Sequence, residues 1–256
     1  MSQSSRRTTA GLIVLALAIA FQTIPSANHS WNGYHWARTA NPFTLYLGDN
    51  LSSVWKDFLN IASSDWSQST VLDTVVVSGQ AKRNCRATAG RVEVCNAAYG
   101  SNGWLGVAQI WVSGSHISQG TVKMNDTYFN TSTYNKPEWR QMVMCQEVGH
   151  TFGLDHQDTN FSNTNLGTCM DYTNNPLGPP SNLDPNKHDY DELVTIYTHL
   201  DSTTTVGAAT RSPAPAALDN PSEWGQLMKV SHGGKTQVFE RDFGNGHHVV
   251  TFVIWA

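Results

Sequence analysis

Residues 145–158, "CQEVGHTFGLDHQD", carry two histidines, three carboxylates and, between the histidines, Gly153, and their spacing decides how the chain is read. On a helix, Gln146 and His150 lie four residues apart, so their side chains leave one face and can converge on one ion. Glu147 sits one step round, within reach of a water beside that ion. Gly153 lets the chain leave the helix in a conformation that residues with a β-carbon resist, and the turn can bring His156 back to the same point. The pattern therefore gathers three neutral donors and one carboxylate at a single centre.

With Gln146 in the place of a histidine, residues 146–156 resemble the His-Glu-x-x-His-x-x-Gly-x-x-His motif of the metzincin zinc endopeptidases. Downstream, "GTCMDYT" (167–173) matches the family's methionine turn at Met170, with Tyr172 two residues on. "HTFGLDH" is similar to matrixin-like members, whereas Met-x-Tyr is similar to astacin- and serralysin-like ones. The resemblance is strong over 137–200, only architectural over 43–135, and silent on 201–256.

That resemblance implies an α+β, zincin-like fold: a twisted, mixed five-stranded sheet with an active-site helix and a C-terminal helix. It implies one catalytic Zn2+ held by Gln146, His150 and His156, with Glu147 as general base. Tyr172 would be a ligand or a stabiliser of the transition state, and the substrate a protein or peptide. An amide oxygen is a poorer zinc donor than imidazole. It is nevertheless neutral, so the charge at the centre is kept. Calcium is a further candidate ion on which the sequence is silent. Asp155 and Asp158 read as turn residues or as groups that orient a histidine. His35 and His188 read as structural, with recruitment as a substitute ligand the alternative. His150 and His156 could alternatively be hydrogen-bonded core residues, and a different function on the same fold is an exported binding or structural protein with weak metal binding and no turnover. The altered residue at 146 is its main support.

Composition narrows the setting. Charged residues make up 14% of the 256 and the formal net charge is −4, with no basic run after residue 7, which argues against nucleic acid as partner. Arg6 and Arg7 precede the apolar run Gly11 to Phe21 and the small-residue stretch "TIPSAN", which together read as a signal peptide spanning 1–27. A secreted protein without membrane attachment after cleavage is expected. Four cysteines suit an oxidising compartment and allow three pairings; Cys85–Cys95 and Cys145–Cys169 are expected.

Along the chain, a strand is expected at 43–47, ended by a turn at Gly48-Asp49-Asn50, with Asn50 capping a helix whose apolar positions run from Leu51 to Trp66. Further strands are expected at 74–77, in "RVEVC" as one arm of a hairpin, at 104–112 and at 120–125. Helices follow over 137–153 and over "DPNKHDYDELVTIYTHLD", the latter with Leu193, Ile196, Tyr197 and Leu200 on one side. Residues 28–200 thus form the catalytic domain, 201–222 a Thr/Ala/Pro-rich linker, and 223–256 a β-meander. So short a meander has little core of its own, so it is expected to pack on the main domain, a surface or a partner.

Overall fold

The computed structural model describes residues 29–80, 85–158, 160–209, 212–231 and 233–256. The expected signal peptide lies outside them. The order of elements is β1 (His35–Trp36), β2 (Phe43–Asn50), α1 (Ser53–Trp66), β3 (Leu72–Ser78), β4 (Val92–Ala97), β5 (Trp104–Ser113), β6 (His116–Asn125), α2 (Asp126–Phe129), α3 (Pro137–His150), α4 (Lys187–Ile196), β7 (Gln226–Val230), β8 (Thr236–Asp242) and β9 (His247–Trp255).

The strands form one mixed sheet of nine, in the order β3-β2-β4-β6-β5-β9-β8-β7, with β1 alongside β6. Five strands were expected in the main sheet. Of the four further strands, the two-residue β1 lies beside β6, and the three C-terminal strands continue the sheet from the second edge of β5, which pairs antiparallel with β9. The apolar stretch "VVTFVIW" buries six consecutive residues of β9, Val249 to Ile254, which a free meander could not do.

Several local expectations shift for identifiable reasons. Gly48 to Asn50 continue β2 instead of turning, because they find partners on both sides: Gly48 opposite Val77 in β3, Asp49 and Asn50 opposite Val94 and Cys95 in β4. Helix α1 consequently starts later, with Ser52 at its N-cap. The "RVEVC" strand is no hairpin arm, since β4 runs parallel to both neighbours, β2 and β6. The polar stretch "SGSHISQ" shrinks to a tight turn because His116 to Gln119 extend β6 against β5, with a bulge at Trp111/Val112. In α4, Asn186 and Asp189 form a reciprocal capping box, and Leu193, Ile196 and Tyr197 are buried. Leu200 falls beyond the helix and is exposed.

Two apolar cores flank the sheet. Helices α1, α3 and α4 cover one face, with Trp55, Trp66, Val143, Val148, Ala108, Ile110 and Phe252 among the buried residues. On the other face Trp104, Val107 and Trp111 of β5 meet Ala214, Leu218 and Trp224 from the segment leading to β7, and Val249 and Val253 of β9. The stretch expected as a linker is therefore anchored: Trp111 donates to the Pro215 carbonyl at 2.9 Å and Ala87 N–H to Ala216 at 2.8 Å. Both expected disulfides are formed, Cys85–Cys95 and Cys145–Cys169.

Candidate active site

Helix α3 is buried from Trp139 to His150, on every side. One side packs under β5 and the other against α1, where Trp66 donates its indole N–H to the Cys145 carbonyl at 3.0 Å. Close approach at the helix end depends on Gly149. A β-carbon there would lie 2.6 Å from the Trp66 ring and 2.7 Å from Met170 Sδ, so glycine admits the methionine turn beneath the helix. The helix ends at His150 and Gly153 then adopts φ +95°, with the Tyr34 carbonyl 2.0 Å from where a β-carbon would sit. Leu154 bridges back to Ser30, and Gln157 N–H donates to the Met170 carbonyl at 2.8 Å, which sets His156 beside α3.

The two histidines meet: His150 Nε2 and His156 Nε2 are 3.2 Å apart. His150 Nδ1 lies 2.9 Å from the Leu154 carbonyl. A carbonyl only accepts, so the ring proton sits on Nδ1 and Nε2 presents its lone pair toward His156. His156 Nδ1 in turn faces Asp155 Oδ1 at 3.4 Å, the carboxylate–histidine arrangement that orients a metal-binding ring. Asp155 is thus a histidine-orienting residue. Burial opposes its ionisation, but His156 and Lys229 hold its carboxyl well below the ordinary range. Burial pushes the His150 imidazole well down, toward its neutral form, helped by the neighbouring His156.

Gln146 donates its amide N–H to the Cys169 carbonyl at 2.9 Å, while its buried Oε1 has no hydrogen-bond partner. The Cys145–Cys169 disulfide places that carbonyl beside the helix. Glu147 is buried too, and its Oε2 is likewise without a partner. Burial pushes its carboxyl well above the usual carboxylate range, with the Ala108 N–H of β5 opposing. Tyr172 is buried, its ring 5.4 Å from that of His156, and burial drives its phenol well up. All five site residues expected from the sequence are therefore buried; His156 meets both His150 and Tyr172, while Gln146 bonds to the Cys169 carbonyl and Glu147 lies under β5. His188 does not join them; it stacks on His29 at 4.9 Å. His35 lies against His116 and His199.

What the sequence pattern missed is the cover over this site. The Phe252 ring of β9 stacks on the His150 ring, 4.3 Å away and only 5° from parallel. The Tyr172 hydroxyl donates to the Lys235 carbonyl in the turn before β8, and Lys229 of β7 pairs with Asp155 Oδ2 at 2.5 Å. Strands β7 and β9 and the turn before β8 thus touch Asp155, His150 and Tyr172. One signal was available in the sequence: "WLGVAQIWV" is apolar on both faces, a pattern of strands paired on both edges and covered on both sides.

Among solved structures, the chain is similar to high choriolytic enzyme 1, a hatching-enzyme zinc-protease from Oryzias latipes (medaka fish), at 10% identity with a TM-score of 0.36, over 67% of this chain and 99% of that one. No family model matches the chain, and no curated protein matches it in sequence.

Proposed function

We propose that the chain is a secreted zinc endopeptidase of metzincin type whose site is held closed by its own C-terminal strands. The observation that carries this reading is the donor set. Two imidazoles present Nε2 atoms 3.2 Å apart at the end of a helix that also carries, one turn back, a buried amide oxygen and a buried carboxylate oxygen without hydrogen-bond partners. An unsatisfied buried acceptor costs about 1–3 kcal/mol, which a bound ion or its water would offset at Gln146 and Glu147. Gln146 Oε1, His150 Nε2 and His156 Nε2 suit a zinc ion, which when bound polarises a peptide carbonyl and acidifies a neighbouring water.

The protein's own groups supply the rest. Glu147 Oε2 accepts the proton of the attacking water and passes it to the leaving amine, a role suited to a carboxyl whose burial raises its basicity. Tyr172, once its hydroxyl is released from the Lys235 carbonyl, donates to the oxyanion. Displacement of β9 frees the edge of β5, on which an extended peptide can lie as an added strand. The two disulfides suit an extracellular setting.

Metal content and cleavage of an unfolded protein substrate, with Glu147→Ala as control, test the proposal. Zinc binding with cleavage that Glu147→Ala removes supports it; no zinc uptake and equal activity of both proteins refute it. The second reading, a binding or structural protein at the cell surface, is favoured by the amide at residue 146 and by the closed cover. It predicts zinc without turnover, even after the C-terminal strands are displaced.

A further inference from the structure

Far from α3 in sequence, His35 of β1, His116 at the start of β6, and His199 and Asp201 just beyond α4 converge on one point. His35 and His116 are register partners in the parallel pairing of β1 with β6. His35 Nε2 lies 3.2 Å from His199 Nε2, and His116 Nε2 lies 3.2 Å from Asp201 Oδ1. His35 Nε2 and His199 Nε2 are each 3.6 Å from that same oxygen. Zinc–nitrogen bonds of 2.0–2.1 Å in a tetrahedron place neighbouring donor atoms about 3.3 Å apart. Four of the six donor separations, at 3.2–3.6 Å, bracket that value, and the His35, His116 and Asp201 donors all lie within 4.8 Å of one another.

The surroundings aim these atoms inward. The Gly33 carbonyl is 2.8 Å from His35 Nδ1, so the ring proton sits there and Nε2 offers a lone pair. Arg38, itself buried, takes Asp201 Oδ2 through its backbone N–H at 3.2 Å and its guanidinium at 3.0 Å, leaving Oδ1 turned toward the imidazoles. The same guanidinium also donates to the His199 carbonyl and to Asn41 Oδ1, which fixes the segment carrying both ligands. Oriented ligands of this kind mark metal sites. Hydrogen bonding alone explains the cluster less well, because three imidazole nitrogens crowd one carboxylate oxygen.

We propose that His35, His116, His199 and Asp201 form a second, closed zinc site that pins β1, the β5–β6 turn and the exit of α4 together. Three nitrogens and one oxygen suit zinc, and four protein ligands leave no open position, which makes the ion structural. His199 is exposed, so the ion can enter from solvent.

The test compares full-length protein with His199→Ala and His116→Gln, each stripped with chelator, re-equilibrated with zinc and freed of excess. Both side chains are at least partly exposed, and far-UV dichroism of the metal-free forms checks that they fold. Wild type is expected to hold one more zinc ion per chain than either variant and to show a zinc-dependent rise in Tm that both lose. Because the readout is a difference, it holds whatever the α3 site contains. Glu147-dependent cleavage, if present, should persist in both variants. Equal zinc content in wild type and variants, with the same response of Tm to zinc, overturns the proposal.

Discussion

At residue 146 an amide stands where imidazole is the stronger zinc donor, and its Oε1 is buried without a partner. If that oxygen is a ligand, Gln146→His should tighten zinc binding by roughly 10- to 100-fold, the range over which supporting groups tune such sites. Competition with a chromogenic chelator measures it, and unchanged affinity would remove residue 146 from the ligand set. A second residue-scale prediction concerns Asp65, whose carboxyl is pushed up to about 6 by burial and by the neighbouring Asp184. A carboxyl raised on folding contributes stability that is fully present below its unfolded pKa of 3.8 and lost as pH rises through about 6. Asp65→Asn should therefore stabilise the protein at pH 7 and make little difference at pH 4. Urea midpoints at the two pH values decide this; an equal effect at both would assign it to something other than the charge.

At the scale of elements, α3 and the methionine turn act as one unit, tied by the Cys145–Cys169 disulfide and the Gln146–Cys169 hydrogen bond. Replacing both cysteines by alanine removes a cross-link closing a 24-residue separation, which is worth about 3 kcal/mol in chain entropy. Thermal unfolding of the double variant against wild type measures the loss, and zinc affinity should fall with it as the Cys169 carbonyl loosens. This unit was legible because its signals are local: the helical spacing of Gln146 and His150, Gly153 at the exit, and Met170 in its turn. The pairing of β4 was not, since "RVEVC" looks the same in a hairpin as between two parallel strands. Nor was the length of β2, where partners in β3 and β4 override the turn preference of Gly48-Asp49-Asn50. The convergence of residues 35, 116, 199 and 201 was equally hidden, because no local spacing joins residues brought together by a sheet register and a helix exit.

For the molecule as a whole, the decisive contact is β9 on β5, which joins a short C-terminal meander to the main sheet beside the candidate site and, on the proposed function, makes it a lid. If the chain is the endopeptidase proposed, Phe252 against His150, the Tyr172 hydroxyl against Lys235, and Lys229 against Asp155 are the contacts that part to admit a peptide to Glu147. A cover docked by even 1.4 kcal/mol keeps the open fraction near a tenth, with the observed rate lowered in proportion. Ending the chain before β7 should therefore raise Glu147-dependent cleavage of an unfolded substrate by about tenfold or more per folded molecule. The truncated chain also bares Val107 and Trp111, so its stability should fall. Its folded fraction, from far-UV dichroism, normalises the rate, and Glu147→Ala in both lengths supplies the background. Equal rates from the two lengths would mean that substrate reaches the site from another side and that β7, β8 and β9 serve the sheet alone.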